Sequence, residues 1–262
     1  MWAPPAQFCI SVFVCSRLRN TQGHAAVGTP MTTWGFIGSG NIGSTVAQLA
    51  IAAGHDVVMS NSRGPESLAP LIARLGPHAR AGTVAEAAAA GDVVVVTIPL
   101  KHYQDIPAEA LRGKIVIDTM NYYPDRDGRF PELDSNSTTT SELLADHLPD
   151  SFVVKGFNNI FFQHLAVLAR PSGAPDRSAL AIAGDDEKAK TRVAELLDQI
   201  GYDTVDLGPL SEGWRTQRDT AAYGTMYAAD PTDWTKGAQP ASASDITRLA
   251  ASVELPSPNP GA

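Results

Sequence analysis

The chain has 262 residues, of which 44% are apolar and 18% charged, and its formal net charge is −8 at pH 7. An acidic balance argues against nucleic-acid binding, and no apolar run reaches the roughly 20 residues that a membrane-spanning helix needs. The two cysteines, Cys9 and Cys15, lie near the start, which excludes a disulfide framework in the rest of the chain and makes a cytoplasmic location the default expectation.

The first 30 residues differ from the rest of the chain. They show no helical or strand period, and no basic residue precedes their apolar patch as a signal peptide would require. Met31 then leads directly into the first predicted strand. We therefore expect residues 1–30 to be a disordered extension, or to lie upstream of a functional start at Met31.

From residue 31 onward, strand and helix patterns alternate. Strands are predicted at residues 34–37, 56–60, 80–84, 93–98, 114–118, 152–155, 179–183 and 204–207, and helices at 41–53, 65–76, 85–90, 103–111, 141–147, 159–169 and 187–200. Residues 93–98 form a continuous β-branched run, which is typical of a central parallel strand buried on both faces. Strands that alternate with crossover helices predict an α/β fold with a doubly wound parallel sheet.

A glycine-rich motif follows the first predicted strand and opens the first predicted helix. It consists of Gly38, Ser39, Gly40, Asn41, Ile42 and Gly43. Gly38 permits a tight turn, Gly40 lets the backbone approach a pyrophosphate, and Gly43 allows close packing of helix and strand. The helix N-terminus directs N–H groups and a positive dipole end at the phosphates. In this context the motif predicts a dinucleotide site, against the alternative of a glycine turn without a ligand.

The end of the second strand indicates which dinucleotide binds. An NAD-specific site has Asp or Glu there, whereas this chain has Asn61, Ser62 and Arg63, and Asp56 lies at the opposite end of the strand. A guanidinium offers a planar fork to a 2′-phosphate, and Asn61 and Ser62 can also donate to it. The three residues predict NADP(H), against the alternative of a solvated surface arginine.

The reacting groups should lie beyond the carboxyl ends of the later strands. Thr97, Ile98 and Pro99 follow the fourth strand, and we expect them to border the ribose on the nicotinamide side. The alternating pattern predicts a dinucleotide-binding domain at residues 31–158 and a smaller C-terminal α/β lobe at 159–230. Residues 231–262 are rich in Ala, Ser and Pro, so we expect a flexible tail with at most a short turn of helix.

Three residues are candidates for the catalytic group. Lys155 lies at the end of the sixth strand, and Asn121 follows the fifth. Together with Asn158, they are the polar groups expected to converge on the reacting ring. The third candidate is His102, just after the fourth strand. The histidines share no spacing that would put two of them on one helix face, so no metal site is predicted. The catalytic residue itself stays unassigned at this level.

Together these residues resemble a known family, the NADP-dependent oxidoreductases that use the deazaflavin coenzyme F420. The resemblance covers roughly residues 33–223 and rests on the segments 35–43, 62–63, 94–99, 116–119 and 153–158. The reductase domains of membrane metalloreductases share the same signature. The resemblance implies a Rossmann-type fold, NADP(H) as cofactor with Gly156 among the residues that contact it, and F420 as co-substrate. The position of Gly156 often holds alanine in the family.

The expected reaction is a direct hydride transfer between the nicotinamide and an aromatic ring stacked on it. Such a transfer needs close parallel placement and exclusion of water more than an acid or base. Phe157 and one of Tyr122, Tyr123 or Tyr223 are candidates for the walls of the acceptor pocket. The expected partner is a small-molecule acceptor or donor, with no nucleic acid and no membrane, and the sequence leaves a homodimer open.

Two other functions remain open on the sequence. The first is an NADPH-dependent imine or small-carbonyl reductase, which needs a proton donor such as Lys155 or His102 and would normally bring a long all-helical domain. The second is a non-enzymatic NADP sensor that binds the cofactor and a protein partner. The strand signals after residue 156 weigh against the first alternative.

Overall fold

A computed structural model of the protein describes residues 31–255. The predicted extension at residues 1–30 and the last part of the predicted tail, residues 256–262, lie outside the described residues.

One eight-stranded sheet forms the centre of the molecule, in the order β3-β2-β1-β4-β5-β6-β7-β8. The strands are β1 Thr33–Ile37, β2 Asp56–Ser60, β3 Ala79–Ala81, β4 Val93–Val96, β5 Ile115–Asp118, β6 Phe152–Lys155, β7 Ala179–Gly184 and β8 Asp203–Asp206. Neighbours are parallel except for β6 and β7, which pair antiparallel through Val154–Gly184 and Lys155–Ala183. The predicted doubly wound sheet is confirmed, whereas the direction of β7 was not predicted, because a buried apolar run does not encode its direction.

Ten α-helices connect and cover these strands in the described part of the chain. They are α1 Asn41–Ala52, α2 Ala69–Leu75, α3 Val84–Ala90, α4 Ala108–Leu111, α5 Pro124–Asp127, α6 Pro131–Asp134, α7 Thr140–His147, α8 Phe162–Val167, α9 Glu187–Gln199 and α10 Ala243–Ala251. Turns of 3-10 helix lie at Pro65–Leu68, Leu100–Asp105, Leu210–Thr216, Thr225–Tyr227 and Trp234–Lys236. The helix predicted at 103–111 is therefore wrong in form: a 3-10 turn is followed by the short α4, because Pro107 has no N–H with which to continue a helix.

The sheet has a hydrophobic core on each face. The side chains of β4 show this most clearly, since Val93 and Val95 belong to one core cluster and Val94 and Val96 to the other. All four valines are almost completely buried, which is the expected environment for a continuous apolar run in a central parallel strand. The sheet is thus rigid at its centre, where the carboxyl ends of β1 and β4 meet.

The segment after residue 230 carries more structure than the flexible tail that was predicted. Ser242 and Asp245 form a reciprocal capping box at the start of α10, and Ile246 is fully buried in the core. The backbone N–H of Ala179 in β7 donates to the carbonyl of Ala241 at 2.9 Å. One apolar side chain per helical turn was enough to dock this segment despite its Ala/Ser/Pro-rich composition.

The C-terminal half continues the same sheet. Strands β7 and β8 extend it beyond β6, and the described residues 31–255 belong to one compact unit. The division at residue 158 between a dinucleotide-binding domain and a smaller lobe stays a prediction. No helix among residues 31–255 combines the length and the hydropathy needed to cross a lipid bilayer.

Candidate functional site

Two cavities meet beyond the carboxyl ends of β1 and β4, where the strand order reverses. Thr97, Ile98 and Pro99 line both of them. The first, which we call the glycine-loop cavity, has a volume of about 480 Å³ and is lined also by Gly38–Gly40 and Asn61–Arg63. The second, the aromatic cavity, has a volume of about 350 Å³. A switch point of this kind is where open α/β sheets bind ligands.

The three glycines of the loop have separate geometric roles. Gly38 has a φ of 112°, and a Cβ there would lie 2.2 Å from the carbonyl oxygen of Thr97. A Cβ on Gly43 would lie 2.6 Å from Cγ2 of Thr97, so only glycine permits this contact between α1 and the end of β4. A Cβ on Gly40 would have no atom within 4 Å, and Gly40 lines both cavities. The loop is therefore closely packed against Thr97 at Gly38 and Gly43, and it has free space beside Gly40.

The loop after β2 is organised by Asn61. Its side-chain oxygen accepts the backbone N–H of Arg63 at 2.9 Å, and its amide nitrogen donates to Ser67 at 2.9 Å and to Ser39 at 3.3 Å. Asn61 thus fixes the loop and ties it to the glycine motif. Ser62 and Arg63 are exposed and line the glycine-loop cavity, and the Arg63 guanidinium forms no ion pair with any of residues 31–255.

His102 lies in the glycine-loop cavity, away from the aromatic cavity. Its Nδ1 is 2.9 Å from a carboxylate oxygen of Asp105, and its side chain is half exposed. Val84 and Ile106 provide apolar walls nearby. The structure therefore separates His102 from the other two catalytic candidates and places it on the side of Arg63.

Asn121 and Asn158 come together in the aromatic cavity, and their convergence on the reacting ring stays a prediction. The Asn121 amide donates to the carbonyl of Asn158 at 2.8 Å, and the Asn158 amide donates to the Asn121 side-chain oxygen at 3.2 Å and to the carbonyl of Thr216 at 2.9 Å. Both residues are buried and line the cavity. Since most of the N–H donors of the two side-chain amides bond within the protein, these residues mainly fix the wall of the aromatic cavity that they form.

Lys155 does not reach either cavity. Its ammonium is buried and donates to the Asp118 carboxylate at 3.0 Å, to the Thr140 hydroxyl at 3.0 Å and to the carbonyl of Met120. Burial lowers the pKa of Lys155, while the Asp118 carboxylate opposes that shift. With all three ammonium donors engaged, Lys155 joins the ends of β5 and β6 to α7, and the expectation that it converges on the reacting ring is wrong.

The position predicted for Gly156 is also wrong. Gly156 lines neither cavity, and a Cβ there would point at Ile117 and Ile182 on the neighbouring strands. The next residue, Phe157, has a φ of 59°, which is unusual for a bulky side chain. This left-handed turn redirects the chain after β6, so that Phe157 and Asn158, rather than Gly156, line the aromatic cavity.

Aromatic side chains from three distant segments close the second cavity. They are Tyr123, Phe157, Phe161, Phe162, Tyr223 and Trp234. The ring of Trp234 packs against Tyr223 at 5.8 Å and against Phe161 at 6.3 Å. Tyr122 faces a separate cavity of about 370 Å³, where its hydroxyl donates to Asp134 at 3.1 Å. The expectation for Tyr123, Tyr223 and Phe157 as cavity walls agrees with this placement, whereas Phe161, Phe162 and Trp234 were missed.

Arg126 is a charged residue of the aromatic cavity that the sequence did not reveal. Its guanidinium lies 4.6 Å from the centre of the Tyr123 ring and forms an ion pair with Asp127 at 2.8 Å. Burial opposes ionisation of Asp127, but the hydrogen bonds from Arg126 and from the backbone N–H of Tyr123 outweigh it and lower the pKa of that carboxyl. The local sequence pattern did not mark this residue, although its partners Tyr123 and Asp127 lie within three residues of it.

The glycine-loop cavity fits a dinucleotide on its geometry. The open space at Gly40, the start of α1 without a side-chain cap and the uncompensated Arg63 together provide room, N–H donors and a cation. Thr97, Ile98 and Pro99 continue the wall into the aromatic cavity, and their contact with the nicotinamide-side ribose stays a prediction. Within residues 31–255, no group of three or more His, Cys, Asp or Glu side chains is placed to hold a metal ion.

Comparisons with known proteins agree with this geometry. Residues 33–122 match the family described as NADP oxidoreductase coenzyme F420-dependent. The fold is similar to that of a hypothetical protein from Sinorhizobium meliloti, with 31% identity, 74% of this chain and 93% of that chain covered and a TM-score of 0.64. A protein of Arthrobacter sp. FB24, described as a candidate F420-dependent NADP-reductase, has 28% identity, coverages of 69% and 86% and a TM-score of 0.58.

A curated relative is the metalloreductase STEAP2 of Mus musculus. It is 33% identical over 183 residues, which cover 68% of this chain but 34% of the relative. The chain therefore spans about a third of the length of the curated relatives that it matches.

Proposed function

We propose that the chain belongs to the family of coenzyme F420-dependent NADP oxidoreductases, whose model matches residues 33–122, and that it transfers a hydride between NADP(H) and a deazaflavin or flavin-like acceptor. One observation carries the proposal: a cavity with a glycine loop and a free cation adjoins a cavity with aromatic walls, across the shared segment Thr97, Ile98 and Pro99. Flat aromatic walls suit a flat acceptor ring.

The preference for NADP(H) is supported by the charge of the glycine-loop cavity. Arg63 lines this cavity without an ion-pair partner among residues 31–255, so binding a 2′-phosphate would not require an existing salt bridge to break. Asp105, a carboxylate on the same cavity, is engaged by His102 at 2.9 Å. A guanidinium fork bound to a phosphate forms charge-assisted hydrogen bonds, which a 2′-hydroxyl cannot match.

When bound, the nicotinamide supplies the hydride, and the residues of this chain bind and orient the reactants. The glycine loop and the start of α1 hold the phosphates, while Asn61 keeps the recognition loop in place through its bond to the N–H of Arg63. The aromatic side chains of the second cavity flank the reacting rings. Transfer in such a site depends on placement more than on an acid or base.

The cofactor part of the proposal is tested by binding. We expect NADPH to bind more tightly than NADH, and Arg63→Ala to remove most of that difference, a loss of about 10- to 100-fold in NADPH affinity from one charged hydrogen-bonded contact. Arg74→Ala is the matched control, since Arg74 is exposed on α2 and lines neither cavity. Equal affinities for NADPH and NADH in the unsubstituted protein would contradict the proposal.

The acceptor part is tested by an absorbance panel. NADPH oxidation is followed with F420, with FMN, with menadione, with a cyclic imine and without an added acceptor. Turnover with F420 or FMN supports the proposal. Turnover with the cyclic imine alone would favour an imine reductase, and tight NADPH binding without any turnover would favour a sensor.

A further inference from the structure

Two tyrosine hydroxyls meet at the aromatic cavity. The hydroxyl oxygens of Tyr123 and Tyr223 are 2.7 Å apart, and both residues line the cavity. Tyr123 follows β5 and Tyr223 lies in the C-terminal half, 100 residues further along the chain. The pair therefore forms only when the two halves of the protein are folded together.

The hydrogen-bond inventory of this pair leaves one donor unused. Two hydroxyls carry two hydrogens, and the bond between them uses one. Within residues 31–255, neither hydroxyl has a second hydrogen-bond partner. One O–H is consequently free to donate to a bound molecule, whichever of the two tyrosines carries it.

Neighbouring side chains hold both rings in place. The guanidiniums of Arg126 and Arg218 lie 4.6 and 5.5 Å from the centre of the Tyr123 ring, and the Trp234 ring packs against Tyr223 at 5.8 Å. Burial, with a smaller contribution from the hydrogen bond to Tyr123, raises the pKa of Tyr223, so its hydroxyl keeps its proton at neutral pH. The two rings are thus held in place, and either hydroxyl can carry the hydrogen that is left to donate.

We infer that the Tyr123–Tyr223 pair donates this hydrogen bond to the carbonyl oxygen or ring nitrogen on which negative charge develops as the acceptor ring takes the hydride. The inference rests on the proposed function and adds a catalytic donor to it. A fixed donor aimed at developing charge stabilises the transition state more than the ground state. The acceptor class that fits is a conjugated ring bearing a carbonyl or an imine-type nitrogen, such as a flavin, a deazaflavin or a quinone.

The test uses the full chain and three tyrosine variants. Tyr123→Phe and Tyr223→Phe each leave one hydroxyl in the cavity, so each should lower kcat by no more than about fivefold. The double variant has neither hydroxyl, so its kcat should fall by about 100-fold, as it does when an oxyanion donor is lost. Tyr103→Phe is the control, because its hydroxyl only accepts from Gln104 and lines neither cavity. F420, FMN and menadione serve as acceptors.

A binding measurement separates catalysis from a structural role. The dissociation constants of NADPH, and of oxidised FMN or F420 with NADP⁺ present, are measured by fluorescence for the same variants. We expect NADPH binding to be unchanged, and acceptor binding to weaken by less than about fivefold in the double variant, since the donor acts mainly on developing charge.

Three outcomes would overturn the inference. If the double variant retains more than about a third of the kcat of the unsubstituted protein, the pair is not a catalytic donor. A fall in acceptor affinity as large as the fall in kcat assigns the pair to binding or packing instead. If the unsubstituted protein reduces none of the three acceptors, the proposed function fails and the inference fails with it, which distinguishes that case from the first two.

Discussion

Replacement of the buried Lys155 tests whether this residue is a structural tie or a catalytic group. In the structure its ammonium bonds to Asp118, Thr140 and the carbonyl of Met120, away from both cavities. The substitution Lys155→Met keeps the length and apolar stem of the side chain but removes the charge. We expect it to destabilise the protein strongly, while NADPH affinity of the folded fraction changes little.

The expected magnitude follows from what the substitution leaves behind. The Asp118 side chain is fully buried, and without Lys155 it keeps only the hydroxyl of Ser141 at 2.6 Å and the backbone N–H of Met120 at 2.8 Å. An uncompensated buried charge of this kind costs about 3–5 kcal/mol. Because a folded domain has only about 5–15 kcal/mol of stability, the variant should be close to its threshold.

The assay is urea unfolding of the full chain followed by circular dichroism, with a double variant as control. In Asp118→Asn/Lys155→Met the buried group is a neutral amide that can still accept from Ser141, so this protein should be more stable than Lys155→Met alone by about 1–3 kcal/mol. A loss below about 1 kcal/mol in the single variant would refute the reasoning, as would a double variant less stable than the single one.

Two further predictions concern the glycine loop and the Arg126–Asp127 pair. Gly40→Ala should leave the urea midpoint nearly unchanged but weaken NADPH binding, because its Cβ points into open space at both cavities. Gly43→Ala should lower the free energy of unfolding by about 1–3 kcal/mol, because its Cβ would contact Thr97. Equal effects of the two substitutions on stability would contradict this. Asp127 has a pKa below the ordinary value near 3.8, so it stabilises the fold above that pH and the contribution disappears as pH falls through its lowered pKa. Asp127→Asn should therefore be less stable than the unsubstituted protein at pH 7, with a smaller difference at pH 3, as measured by urea unfolding at both pH values.

The strands and the glycine loop could be predicted because their signals are local. The valine run of β4 and the loop Gly38–Gly43 are each a short continuous segment, and the conformation of each follows from its own side-chain sizes and backbone freedom. The loop Asn61–Arg63 could be predicted for the same reason, since the end of β2 lies beside the end of β1 whenever the two strands pair in parallel.

The errors at Lys155 and Gly156 have a different physical origin. A strand that is buried on both faces gives no alternation of polar and apolar residues, so the sequence does not tell which side chains point towards the ligand edge. After β6, the left-handed backbone at Phe157 determines which side chains line the aromatic cavity. A bulky residue adopts this conformation only when the surrounding structure enforces it. Trp234 was missed because its neighbour Phe161 comes from another segment of the chain, and Arg126 was missed because its place at the cavity depends on the loop conformation.

The two cavities also differ in where their residues come from along the chain, and this bears on how the acceptor could change among relatives. The glycine-loop cavity is lined entirely by residues between Ile37 and Ile106, within the span matched by the family model. The aromatic cavity adds side chains from Phe157 to Trp234, beyond that span. We therefore expect substitutions in the C-terminal half to reshape the aromatic cavity, the proposed acceptor site, without changing the lining of the glycine-loop cavity. We expect the identity of the acceptor to depend on residues such as Tyr223 and Trp234, which line the aromatic cavity and not the glycine-loop cavity.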